Sequence, residues 1–280
     1  MLRYSLLTAG LLLGASAFAA PAGDLPLMPW PAKVERPTTQ GALVLSNNVS
    51  VSVSGDDLGD AVNRLRQRIA LQTGWTLQPQ ADKPEKPTIR IAIAKKVKPQ
   101  PLPDSDESYK LMVDANGVDI SANTRFGALR AMETLLQLIQ NGAENTSLPW
   151  VSIEDSPRFP WRGLLLDSAR HFIPLPDIKR QIDGMAAAKL NVLHWHLTDD
   201  QGWRFSSTRY PKLTRLASDG LYYTPEQMRE VVRYATERGI RVVPEIDMPG
   251  HASAIAVAYP ELMSAPGPYQ MERHWGVLKP

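Results

Sequence analysis

The stretch Lys189-Leu190-Asn191-Val192-Leu193-His194-Trp195-His196-Leu197-Thr198-Asp199-Asp200-Gln201-Gly202-Trp203-Arg204 decides the fold. Asn191 to His196 has the length and composition of a strand. It lies between two helical patterns. Upstream, Ile178, Ile182, Met185 and Ala186 form an apolar stripe at helical spacing. Downstream, Thr224 is a candidate N-cap, with Pro225 at the first helical position and Gln227 completing a capping box. Met228, Val231, Val232 and Ala235 give that helix its stripe, and Gly239 closes it. Further outward stand two more strands, Gly163 to Asp167 and Ile240 to Ile246.

Strands alternating with helices pair in parallel through right-handed crossovers. An α/β fold follows, as either a doubly wound sheet or a (β/α)₈ TIM barrel. The polar residues decide between them. Asp167 and Arg170, Asp199 and Asp200, and Asp247 and His251 all fall just beyond the C-terminal end of a strand. Barrel enzymes carry their active sites on that face. No glycine-rich phosphate loop follows the first strand, which disfavours a nucleotide-binding sheet. The expected architecture is a barrel of which the chain holds the first three strands, over residues 156–280.

The preceding part reads differently. Val49 to Val53 and Ile89 to Ile93 alternate as half-buried strands do. Leu58, Ala61, Val62, Leu65 and Ile69 mark a helix ending at Gly74. Asn116-Gly117 between two alternating runs signals a hairpin. Phe126 to Ile139 is a second helix, ended by Asn141-Gly142. A small α+β domain is expected within residues 20–155, its sheet complete before residue 142. Pro149, Pro157 and Pro160 mark a linker.

Residues 1–19 have the pattern of a secretory signal peptide: Arg3, an apolar Leu6 to Ala15, and Ala17-Phe18-Ala19 as a cleavage site. A periplasmic or secreted protein is expected, with no membrane association after cleavage. Thirty-one Lys and Arg against 29 Asp and Glu leave a net charge of +2, so nothing draws the chain to nucleic acid. The absence of cysteine excludes disulfides and thiolate metal sites.

Among the candidate site residues, the planar fork of Arg170 suits two vicinal hydroxyls or a carboxylate. A structural Arg paired to a loop acid is the alternative. Of Asp199 and Asp200, neighbours on an extended segment, one should face the pocket and the other the scaffold. His251 is expected to pair with an acid on the neighbouring loop. His194 and His196 share one strand face, as metal-ligating pairs do, which leaves a metal-dependent barrel hydrolase as a second reading.

Three segments carry a family resemblance: Trp161 to Phe172, Lys189 to Arg204, and Gly239 to His251. In order and at natural spacing they resemble the first three barrel strands of glycoside hydrolase family 20. The resemblance implies a (β/α)₈ barrel behind a small α+β domain, and removal of terminal non-reducing β-linked N-acetylglucosamine or N-acetylgalactosamine from an oligosaccharide or glycan. It implies that Arg170 binds ring hydroxyls, that Asp199 and His251 form a supporting pair, and that Asp247 is a weaker substrate-binding candidate. No metal or cofactor is implied. In the family mechanism the substrate's 2-acetamido oxygen is the nucleophile, an Asp orients it, and the adjacent Glu is the general acid and base. That Asp-Glu pair belongs after the fourth strand. Beyond His251 the acids here are Glu261 and Glu272, neither next to another acid. The chain is therefore expected to be an inactive truncated form, with a non-catalytic sugar-binding remnant as the alternative.

Overall fold

The computed structural model describes residues 25–81 and 84–272. The proposed signal peptide lies outside them.

The first unit runs β1 (Lys33–Glu35), β2 (Ala42–Leu45), β3 (Val51–Ser54), α1 (Ala61–Thr73), β4 (Ile89–Ile93), β5 (Tyr109–Asp114), β6 (Gly117–Ala122), α2 (Arg125–Gln137), β7 (Gln140–Asn141), β8 (Thr146–Pro149) and β9 (Val151–Asp155). Six strands form one sheet in the order β1-β9-β5-β6-β4-β3, and β2-β8-β7 form a small second sheet. The inward residues are those that the alternation selects: Ile89, Ile91 and Ile93 on β4, and Tyr109, Leu111 and Val113 on β5, are all buried. α1 ends at Gly74, whose φ of 72° is the left-handed conformation expected at such a cap.

Two sequence expectations are corrected here. The sheet is not complete before residue 142: β9 pairs with β5 along five registered residues and with β1 on its other side. Its alternating Val151-Ser152-Ile153 pattern lies between prolines and reads as linker. Pro149 ends β8 without harm, because it faces Ala42 at a strand terminus. The second helix stops at Gln137, and Asn141 belongs to β7. The hairpin turns at Ala115-Asn116, one residue earlier than read. Gly117 opens β6 at φ 133°, where a Cβ would lie 2.7 Å from the Thr88 carbonyl.

The second unit runs β10 (Gly163–Asp167), α3 (Leu175–Ala187), β11 (Val192–Asp199), β12 (Gly202–Trp203), α4 (Lys212–Ala217), α5 (Pro225–Thr236), β13 (Arg241–Ile246) and α6 (Ser253–Ala258). β10, β11 and β13 are parallel, with Gly163 beside Val192 and Val192 beside Arg241. They are the first three strands of a (β/α)₈ barrel, in the predicted places. Leu193, Trp195 and Leu197 on β11 pack with Ile178, Ile182, Val231 and Ala235 of α3 and α5. The pleat turns His194 and His196 the other way, to the concave side. The Thr224–Gln227 capping box forms as read.

The two units meet at the N-terminal ends of the barrel strands. Arg130 of α2 donates to the Gly239 carbonyl at 2.8 Å, just before β13. Glu107 accepts from Asn191 at 2.8 Å, just before β11. The opposite, C-terminal ends carry the polar residues.

Candidate active site

β10 ends in Asp167, whose Oδ1 accepts from the backbone N–H groups of Ala169 and Arg170, each at 3.0 Å. This turn folds Arg170 back over the strand end. Its Nη1 donates to Asp167 Oδ2 at 2.9 Å, and its Nη2 lies 2.6 Å from Asp199 Oδ2. The structural alternative for Arg170, pairing with loop acids, is therefore realised. Its side chain keeps 24% exposure at the C-terminal strand ends, so pairing and ligand binding are compatible.

Asp199 comes from the end of β11 and its side chain has no exposure. A bulge between His196 and Thr198 sets two residues of β11 against one of β13. The pleat alternation slips there, and His196 and Asp199 reach the same guanidinium. The other Asp199 oxygen lies 3.3 Å from His251 Nδ1. Asp200 also reaches that nitrogen, at 3.4 Å. The expected division into one pocket-facing and one scaffold-facing acid is thus corrected. β11 ends at Asp199, so Asp200 sits in a turn where strand alternation no longer applies. Burial works to raise the Asp200 pKa. The N–H and hydroxyl of Ser253, together with His251, outweigh it and hold the carboxyl below its usual value.

His251 has φ 51°, uncommon for a residue with a side chain, and is 61% exposed, opening toward solvent from a buried acid. Asp247 hangs beside the cluster. Its N–H donates to Thr198 Oγ1 at 3.0 Å, and its carboxylate lies 3.7 Å from His196 Nε2.

Sequence reading missed two residues of this face. Glu245, inside the β13 run, lies 2.6 Å from His194 Nε2. A signal existed, since position 245 shares the register of His196 across the sheet. Buried Arg204 is the other. It donates to the carbonyls of Ser168, Ala169, Ser218 and Leu221 at 2.7–3.2 Å. It thereby fixes the loop that carries Arg170. A Cβ on Gly202 would fall 2.3 Å from this guanidinium, which accounts for a glycine at that position.

His196, Glu245 and Asp247 have ligand atoms close enough to share a cation, as do Asp199, Asp200 and His251. The protein's own Arg170 already places its charge among these acids, and His194 is engaged by Glu245. The pair of histidines that suggested a metal centre thus divides between two different partners.

Comparison with known proteins agrees with this geometry. The family model for the glycosyl hydrolase family 20 catalytic domain matches residues 159–279, and that for domain 2 of the same family matches residues 24–156. The β-hexosaminidase of Porphyromonas gingivalis is 37% identical over 250 residues, covering 83% of this chain and 32% of that protein. The β-hexosaminidase of Vibrio furnissii is 36% identical over 262 residues, covering 87% of this chain and 41% of that protein. Among solved structures, the chitobiase of Flavobacterium johnsoniae superposes with a TM-score of 0.84 at 46% identity, covering 90% of this chain and 39% of that one. An exo-β-N-acetylglucosaminidase of Vibrio harveyi, solved with N-acetylglucosamine, superposes with a TM-score of 0.72 at 32% identity, covering 86% of this chain and 39% of that one. The chain spans about two fifths or less of the length of these relatives. With both family models matched in order, three barrel strands in parallel and their polar ends converging on one face, the chain belongs to glycosyl hydrolase family 20.

Proposed function

We propose that the protein carrying this chain is an exported β-N-acetylhexosaminidase, acting on terminal non-reducing N-acetylglucosamine or N-acetylgalactosamine of an oligosaccharide or glycan. The observation that supports this most is Arg170, held between Asp167 and Asp199 at the C-terminal strand ends while a quarter of its side chain stays exposed. A pre-oriented guanidinium binds vicinal ring hydroxyls without first losing its own freedom. Asp199 couples that sugar-holding group to His251, the proposed support for the catalytic acid. The mechanism is substrate-assisted. The 2-acetamido oxygen attacks the anomeric carbon as the leaving oxygen is protonated, and water then opens the oxazolinium-like intermediate with retention. Asp247 is proposed as a weaker contact to the sugar. Export rests on the pattern of residues 1–19.

The test compares aryl β-N-acetylglucosaminide with aryl β-glucoside, which lacks the acetamido nucleophile. Hydrolysis of the first alone is expected. Equal hydrolysis of both, or of neither, would refute the proposal. N-terminal sequencing of the exported protein should begin near Ala20, and an intact Met1 on it would remove the export reading.

A further inference from the structure

The His194-Trp195-His196 motif contains a buried imidazole that the proposed mechanism leaves without a task. His196 is 4% exposed and sits under Arg170. Its Nε2 lies 2.8 Å from the Thr198 carbonyl oxygen, which can only accept. Its Nδ1 lies 3.3 Å from Arg170 Nη1, which can only donate. One ring nitrogen must therefore carry the hydrogen and the other the lone pair. We infer that His196 is a neutral Nε2–H imidazole whose Nδ1 fixes the rotamer of Arg170, making it a positioning residue for sugar binding. The inference rests on Arg170 being the sugar-holding group.

The surrounding groups agree with this assignment. Nη1 of Arg170 has two hydrogens, one directed at Asp167 Oδ2 and the other at His196. Asp199 Oδ2, at 3.2 Å, and Asp247 Oδ2, at 3.7 Å, lie on the Nε2 side, where acceptors favour a hydrogen. Glu245 faces Nδ1 but stays at 3.6 Å, outside hydrogen-bond range, because its Oε2 is 2.6 Å from His194. A hydrogen on Nδ1 would point at a guanidinium and break the contact. Asp167 and Asp199 supply the charge that holds Arg170, and His196 supplies direction.

Two variants separate direction from bulk. An asparagine amide ends near the position of Nδ1 and can offer Arg170 an acceptor oxygen. A glutamine amide reaches the position of Nε2, keeps the donor to Thr198, and leaves nothing at Nδ1. The proposal expects H196Q to raise KM for an aryl N-acetylglucosaminide at least tenfold, with a smaller effect on kcat, and H196N to keep most of the affinity that H196Q loses. ¹⁵N spectra of histidine-labelled protein, assigned by the loss of a signal in H196N, should show two widely separated ring nitrogens for His196. Equal KM for the two variants, or a pair of near-coincident ring signals typical of imidazolium, would overturn the assignment. Wild-type protein without hydrolysis would instead sink the functional reading, and the ring spectrum would still decide the tautomer.

Discussion

Glu107 of the α+β unit lies 2.5 Å from Nε of Arg130, and the same carboxylate oxygen lies 2.5 Å from Nη2 of Arg162 at the entrance to the first barrel strand. Its other oxygen accepts from Asn191. One buried acid therefore joins the α+β unit to the starts of β10 and β11, and Arg130 extends the link to β13 through Gly239. Breaking a buried pair leaves an uncompensated charge at a cost of about 3–5 kcal/mol. Glu107→Gln strands two guanidiniums and should destabilise the protein by about that amount in urea denaturation. A loss under about 1 kcal/mol would show that the junction is solvated and the lock unimportant.

The same carboxylate gives a pH dependence. Burial works to raise its pKa, but Arg130 and Arg162 outweigh burial and hold it below the ordinary 4.5. A carboxylate with a lower pKa in the folded state contributes stability above its unfolded value and loses it as pH falls through the folded value. Asp200 shifts the same way from 3.8. The melting temperature should therefore stay level down to about pH 5 and decline below it. In Glu107→Gln that acid-side slope should be shallower, and an unchanged slope would assign the acid loss to other groups.

Gly202→Ala addresses the loop that carries Arg170. The added methyl would meet the Arg204 guanidinium at 2.3 Å, and that group is anchored by four carbonyls. Its displacement should cost about 1–3 kcal/mol, as overpacking does. Because Ala169 is one of the anchors, substrate affinity should fall together with stability. A variant of normal stability and affinity would show that Arg204 can move aside freely.

Much of this was legible in the sequence. The three barrel strands, their helices and the Thr224 cap follow from periodicity and capping chemistry, because each is a local signal. β9 was hidden, since its partners β5 and β1 lie far away in the chain and prolines surround it. The common orientation of His196 and Asp199 was hidden for another reason. It depends on a bulge, and strict alternation puts residues 196 and 199 on opposite faces. Arg204 holds the loop through backbone carbonyls, which no residue type in the sequence betrays.

Asp199→Asn is the sharpest test of the site as a unit. The carboxylate is fully buried, accepts the Asp200 N–H at 2.7 Å, and contacts Arg170 and His251 through different oxygens. Asparagine keeps the shape and one acceptor, but its NH₂ must face either the guanidinium or the imidazole. Against Arg170 it opposes donor to donor, and Arg170 loses the charge of one of its carboxylate partners. Hydrogen bonds to charged groups are worth about 1.5–3 kcal/mol, so kcat/KM should fall about 10- to 200-fold. Arg170→Ala alone should give a loss of similar size, most of it in KM, because binding of the ring hydroxyls precedes chemistry. If Asp199 acts through Arg170, the double variant should lose much less than the sum of the two. Residues in one network typically couple by about 0.5–3 kcal/mol, whereas independent sites add within about 0.3–0.5. Additive losses would show that Asp199 serves His251 alone and that the two halves of the site are not joined.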